Sequence, residues 1–266
     1  MVAEQMHSES GKWSKLFRPP IFASARPYSD DLDAVAYAGF ELAERGAEAL
    51  LLTAARLEDE DGLYGRAVDA LAPVGITVEH LRLDNDTPHQ LGQIAAVFVG
   101  GGNTYALRSR LRAARLLPVL RRRVRAGLPY VGTSAGANIC DPNILATNDW
   151  NVVGANRFDA LGLVPWTINT HYLETDPAMA ATSETRDERI HENLLVNANP
   201  VIGIEENTAL RIEDDRATVR GTGRVKLFRR DQPPCWFTPA QEVPCDRIPL
   251  FDGEKQQKPL IPALRR

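Results

Sequence analysis

The sequence predicts a doubly wound α/β fold, a mostly parallel sheet with helices on both faces and an antiparallel extension at its C-terminal end. Three observations carry that prediction. Short apolar runs without alternation, such as Ala49-Leu50-Leu51-Leu52 and Ala95-Ala96-Val97-Phe98-Val99, read as strands buried on both faces. Between them lie segments with helical apolar spacing, closed by glycine or proline. Past about Pro200 the pattern changes to short strand-like runs separated only by turn residues.

Taken in order, residues 21–25 form a first apolar run and read as a strand. Residues 33–45 carry Val35, Ala36, Phe40, Leu42 and Ala43 at helical spacing, and Gly46 stops that helix. The strand at 49–52 follows, then a helix at 63–72 ended by Pro73 and Gly75, then a strand at 76–83. The strand at 95–99 runs into Gly100-Gly101-Gly102-Asn103, and one long Leu- and Arg-rich helix is expected over 105–125, closed by Gly127. Residues 128–132 are again strand-like. The alternation of strand and helix is what a doubly wound sheet requires. The runs 201–204, 209–212, 217–219 and 225–228 are expected to form an antiparallel extension of the same domain.

The 266 residues, 44% of them hydrophobic, suffice for one sizeable core. The expected layout is an N-terminal tail over 1–18, a single catalytic domain over 19–230 and an irregular C-terminal tail over 231–266, rich in proline and charge. A net charge of -4 and a pI of about 5.8 argue against a general attraction to nucleic acid or anionic membrane. No apolar run approaches the ~20 residues of a membrane span, and residues 1–20 lack the apolar core of a secretory signal. The three cysteines, Cys140, Cys235 and Cys245, are odd in number and show no CxxC spacing. A disulfide framework, a zinc site or any other metal is not expected, and a reducing cytoplasm fits best.

The chemistry concentrates at Gly132-Thr133-Ser134-Ala135-Gly136-Ala137. This is G-x-S-x-G between a predicted strand and a predicted helix, the context of a nucleophile elbow. A tight turn of that kind needs small neighbours and lifts the Ser134 hydroxyl above the sheet. The Ala135 N–H at the helix start then faces a developing oxyanion. Gly100-Gly101-Gly102-Asn103-Thr104 lets a ligand approach the backbone closely, so Gly101 or Gly102 is a candidate second oxyanion donor. The loop lacks the G-K-[ST] ending of a phosphate-binding P-loop.

A serine nucleophile needs a base, and a base needs an acid to fix its tautomer. Of the five histidines, His7 lies in the tail, His80 in a strand, His89 in a polar loop and His191 in a charged helix. His171, in Ile168-Asn169-Thr170-His171-Tyr172, can stand at a strand end beside the elbow. Asp149, Glu174, Glu205 and Glu206 are all candidate acids, and spacing does not choose among them.

Five motifs in order resemble the peptidase E family of aspartyl dipeptidases. They are the VGGGNT loop at 99–104, the GTSAGAN elbow at 132–138, Thr147-Asn148-Asp149, the FDALGLVP…INTHY stretch over 158–172 and the ETRDERI helix start at 184–190. The resemblance runs from about Ala95 to Phe228, with a looser fit back to Ile21, and the chain departs from the family in its long tails. It implies a glutamine-amidotransferase-like α/β fold and metal- and cofactor-free hydrolysis of dipeptides with an N-terminal aspartate; the expected partner is a small peptide substrate, and the expected state a monomer or homodimer. It implies Ser134 as nucleophile and His171 as base, with Asp149 and Glu206 both kept as the acid. Asn103, Arg186 and Arg189 are the implied substrate contacts. The two arginines share one helix face, and a guanidinium suits bidentate capture of a carboxylate. Two other readings stand beside this one. The first is a cyanophycinase-like or isoaspartyl peptidase on the same fold, against which Asn148-Asp149 and residues 168–172 weigh. The second is a non-catalytic binding module that retains the elbow.

Overall fold

The structure is a computed structural model that describes residues 21–24, 48–83, 94, 96–180, 182–213 and 216–244. The expected N-terminal tail, the helix over 33–45, His89 and Cys245 lie outside these residues.

The parallel part of the sheet is built as the apolar runs predict. Strands β1 (Ile21–Ser24), β2 (Glu48–Leu52), β3 (Thr77–Leu81), β4 (Ala96–Val99) and β5 (Tyr130–Thr133) are joined in the order β1-β5-β4-β2-β3, all parallel. Consecutive side chains of β4 enter opposite layers. Ala96 and Phe98 pack with Leu51, Ala67 and Leu71, while Val97 and Val99 pack with Leu107, Leu111 and Leu120. This burial of both faces is why these runs lack alternation.

Helix α1 (Glu60–Leu71) covers the first face, capped by Asp59, whose carboxylate accepts the Gly62 N–H at 3.0 Å. The long helix expected over 105–125 is two helices, α2 (Thr104–Ala113) and α3 (Leu116–Arg125). Arg115 between them adopts a left-handed conformation with φ 57°, which ends the first helix. Pro118 then falls in the first turn of α3, where its missing N–H costs no helical bond.

The expected antiparallel C-terminal extension is present, and its strands divide between two sheets. After the short elbow helix α4 (Ala135–Asn138) come β6 (Thr167–Thr170), α5 (Pro177–Ala180), α6 (Arg186–Val196), β7 (Val201–Ile204), β8 (Thr208–Glu213), β9 (Arg216–Gly221) and β10 (Val225–Phe228). Strands β8 and β9 do extend the large sheet antiparallel, through β8 on β1. Strands β7 and β10 belong instead to a second sheet in which β6 and β7 run parallel. The segment past residue 231 is not wholly irregular. It supplies β11 (Cys235–Phe237) to the second sheet and β12 (Glu242–Val243) to the edge of the first. One continuous core, including Tyr130 and Val97 from the large sheet and Ile168, Ile204 and Leu227 from the small one, joins the two. No helix among the described residues is long and apolar enough to cross a membrane.

Asp141, just beyond α4, is fully buried, and one carboxylate oxygen accepts the Ile168 N–H at 2.6 Å, anchoring the start of β6. Burial pushes its carboxyl well above the usual 3.8, and the Ile168 N–H offsets this only in part. A folded pKa above the unfolded value means that the protonated form stabilises the fold. That contribution is complete below the unfolded pKa and is lost as pH rises through the folded one. Asp141→Asn keeps an acceptor for Ile168 and removes the titration. It should raise the melting temperature near neutral pH and leave it unchanged in acid. An equal shift at both pH values would refute this account.

Candidate active site

Strand β5 delivers Ser134 to a turn held by two glycines. A Cβ at Gly132 would stand 2.3 Å from the Gly136 carbonyl oxygen, and one at Gly136 would stand 2.0 Å from that of Val99. The turn can therefore close only with glycine at both places. The buried Tyr130 hydroxyl donates to the Gly136 carbonyl at 2.7 Å and pins the start of α4 from below. Ser134 itself sits at φ 52°, ψ −112°, a conformation that non-glycine residues rarely adopt. Ala135 opens α4, so its N–H has no partner within the helix. Gly101 lies against this turn, where a Cβ would be 3.1 Å from Ser134 Cβ and 3.7 Å from its Oγ. Gly102 is turned away at φ 147°, packed on the Ala55 carbonyl, so Gly101 is the glycine that faces the nucleophile.

The second sheet brings the other side chains. His171 follows β6 at φ 56°, and its Nε2 lies 2.8 Å from Ser134 Oγ. Its Nδ1 lies 2.7 Å from Glu206 Oε1. A carboxylate only accepts, so Nδ1 carries the proton and Nε2 accepts from the serine hydroxyl. Strand register explains the meeting. Thr170 pairs with Ile204 across parallel β6 and β7, so residues just past each strand end emerge side by side. The imidazole and the Glu206 carboxylate are both partly open to solvent.

Asp149 does not reach this line. Its carboxylate accepts the Thr104 N–H at 2.7 Å and the Thr147 hydroxyl at 3.1 Å, at the positive end of α2. Asn103 caps the same helix through the Ala106 N–H at 3.0 Å, and its amide donates to the Trp150 carbonyl at 2.9 Å. These bonds fix the 147–150 loop beside the elbow.

Arg186 and Arg189, both on α6, line a cleft of about 260 Å³ together with Asn148, Asp149, Trp150 and Asn169. They differ in their surroundings. Arg189 is exposed and paired with Glu184 at 2.8 Å. Arg186 is half-buried, and its guanidinium donates to the Asn169 amide oxygen at 3.2 Å. No carboxylate among the described residues is paired with it. Burial first, and the charge of Arg189 second, lower its pKa. An anion bound beside it would favour the charged form and so offset both. A larger cavity, about 780 Å³ and lined by His191 and Phe228, lies on another side of α6, and neither it nor the cleft at Arg186 is lined by Ser134, His171 or Glu206. Among the described residues no group of three His, Cys, Asp or Glu side chains is placed to hold a metal ion.

Sequence reasoning missed the amides behind the site. Asn138, at the end of α4, donates to Thr104 and Thr147 at 3.1 Å each and accepts from Thr170 at 3.3 Å. Asn148 donates to the Thr170 carbonyl at 2.9 Å, and Asn169 donates to Asn148 at 2.9 Å. This network ties the elbow helix, the 147–150 loop and the end of β6 together. The signal available was amide side chains next to apolar runs, at Asn138 and Asn169.

The family model described as Peptidase family S51 matches residues 41–220. The chain belongs to peptidase family S51. Its relatives include Peptidase E of Streptomyces coelicolor, 44% identical over 178 residues that cover 67% of this chain and 73% of the relative. A Drosophila melanogaster protein named probable alpha-aspartyl dipeptidase is 41% identical over 176 residues, covering 66% of this chain and 73% of that one. A crystal structure of a peptidase from an acI-B1 Actinobacterium superposes with a TM-score of 0.65 at 16% identity, over 86% of this chain and 97% of that one, and so shares the fold. The expected family and fold class are therefore met, and this S51 chain is a serine peptidase of α/β architecture.

Proposed function

We propose that this S51 peptidase hydrolyses dipeptides with an N-terminal aspartate, through Ser134, His171 and Glu206. The observation that carries the reading is the unbroken line of hydrogen bonds from Ser134 Oγ through both imidazole nitrogens to Glu206. The name of the Drosophila relative, probable alpha-aspartyl dipeptidase, supports the same substrate class.

In the proposed reaction His171 Nε2 takes the hydroxyl proton as Ser134 Oγ attacks the scissile carbonyl carbon. The oxyanion that forms is met by the Ala135 and Gly101 N–H groups. His171 then passes its proton to the departing amine, and the C–N bond breaks. Water, deprotonated by the same imidazole, attacks the acyl-enzyme, and as the ester C–O bond breaks that proton returns to Ser134 Oγ and aspartate leaves. Glu206 keeps the proton on Nδ1 and stabilises the imidazolium. Arg186 receives the side-chain carboxylate of the substrate in the cleft beside Asn169. A panel of Asp-Leu, Asn-Leu and β-linked aspartyl-leucine tests the reading. Cleavage of Asp-Leu first supports it. Preference for the β-linked substrate would assign an isoaspartyl peptidase, and no cleavage of any would leave a binding module.

The two candidate acids separate by mutation. Glu206→Gln leaves an amide that cannot stabilise the imidazolium, and kcat should fall by about 10- to 10²-fold, less than for a fully buried triad acid. Asp149→Asn weakens the anchoring of α2 and should lower the melting temperature, with less than about a tenfold change in kcat. The reverse order in kcat would move the role to Asp149.

A further inference from the structure

Strand β10 carries a lysine that the reaction scheme does not use. Lys226 is 5% exposed, and its ammonium donates to the Tyr172 hydroxyl at 3.0 Å, Glu174 at 2.9 Å and Asp187 at 2.8 Å. These three acceptors use all three of its protons. The faces of Tyr172, Phe228 and Trp236 surround it, with ring centres 5.5, 5.3 and 5.0 Å from Nζ. Burial opposes the charge, but the bonds to Asp187, Tyr172 and Glu174 outweigh it and keep the lysine protonated.

The partners of Lys226 are chain neighbours of the working residues. Tyr172 directly follows His171, and Asp187 directly follows Arg186. Tyr172 also donates its own hydroxyl proton to Asp187, so the two neighbours meet at the lysine. Tyr172 is further fixed by its N–H on the Ile204 carbonyl at 2.9 Å and by close packing on Gly203. Arg224, the residue just before β10, lies against the same Trp236 ring, 3.8 Å from its centre, and grips Glu205 at 2.7 Å. Glu205 directly precedes Glu206. Lys226 and Arg224 together thus hold the neighbours of the base, the acid and the cleft arginine.

We propose that Lys226 is a positioning residue, holding the segments that carry His171 and Arg186 at one fixed spacing. A buried charge cluster is seldom the most stabilising way to fill a core, since well-packed apolar side chains often do as well. Its directed bonds instead fix where Tyr172 and Asp187 lie. A shift of about 1 Å in a positioned group can cost about 10²-fold in rate, so such a tie has kinetic value.

Lys226 has this role only if Ser134, His171 and Arg186 act as proposed above, and the two ideas can fail separately. Tyr172→Phe cuts the tie on the histidine side, and Asp187→Asn weakens it on the arginine side. On Asp-Leu, Tyr172→Phe should lower kcat by about tenfold with KM within about twofold, whereas Asp187→Asn should mainly raise KM, by about tenfold. Lys226→Met should do both, and Lys226→Arg should recover part of each. A purely structural cluster would shift melting temperatures without this split. Kinetic parameters within about twofold of wild type in the folded variants, or changes that only track the folded fraction, would overturn the proposal. If Lys226→Met does not fold, the two flanking variants decide. If the wild type cleaves no dipeptide, the substrate reading fails, and labelling of Ser134 by a fluorophosphonate replaces turnover. Slower labelling in Tyr172→Phe then supports the proposal, and wild-type labelling in that variant rejects it.

Discussion

Replacing Ser134 with alanine should abolish hydrolysis of Asp-Leu, with kcat reduced by at least about 10⁴-fold. The magnitude follows from the loss of the attacking atom: the oxyanion donors and the cleft remain, but no acyl-enzyme can form. The fold should survive. The strain at φ 52° and ψ −112° is a property of the turn, and alanine meets it much as serine does. Circular dichroism and a melting curve check that point, while fluorophosphonate labelling should be lost completely. Near-normal turnover by a well-folded Ser134→Ala variant would remove Ser134 from the mechanism.

The second large effect concerns one charge on the substrate. Asparagine matches aspartate in volume but cannot form charge-assisted bonds with Arg186. That guanidinium is half-buried and its recorded side-chain bond is to a neutral amide, so an uncharged substrate leaves it uncompensated. Asp-Leu should exceed Asn-Leu by roughly 10²-fold or more in kcat/KM. Arg186→Met should depress Asp-Leu cleavage and narrow the gap. Arg189→Met should change the preference little, because Arg189 is exposed and already paired with Glu184. Equal cleavage of the two dipeptides by the wild type would reject the aspartate reading. A full preference retained in Arg186→Met would reject only the arginine assignment.

These residues were unequally legible in the sequence. Ser134 is marked by its glycines, because the turn admits no Cβ at 132 or 136 and the chemistry writes itself into a local pattern. The parallel strands are legible for a similar reason, since burial on both faces leaves uninterrupted apolar runs. His171 stands out only through the resemblance, as a histidine past a short run has no local signature. The choice between Asp149 and Glu206 is not local at all. It depends on β6 and β7 being parallel neighbours with Thr170 opposite Ile204, a pairing that no spacing along the chain encodes. The division of the late strands between two sheets is hidden in the same way, because nothing in the short runs 201–204 and 209–212 marks which sheet each joins. Lys226 is the extreme case. Within Val-Lys-Leu-Phe a lysine reads as an outward-facing residue, and only partners from positions 172, 174 and 187 allow its burial.

In the proposed mechanism the nucleophile stands on one sheet, and its base and acid stand on the other. Between them runs a join crossed by the Ser134–His171 hydrogen bond and by a shared apolar core. A peptidase assembled this way is inert in pieces. During synthesis the serine emerges first, on a sheet that still awaits β8 and β9, and no proton relay exists until residue 206 has been added and β7 has paired with β6. The chain therefore acquires hydrolytic power as one of the last events of its own assembly. A partly folded molecule carries a serine with no more reactivity than any alcohol in water.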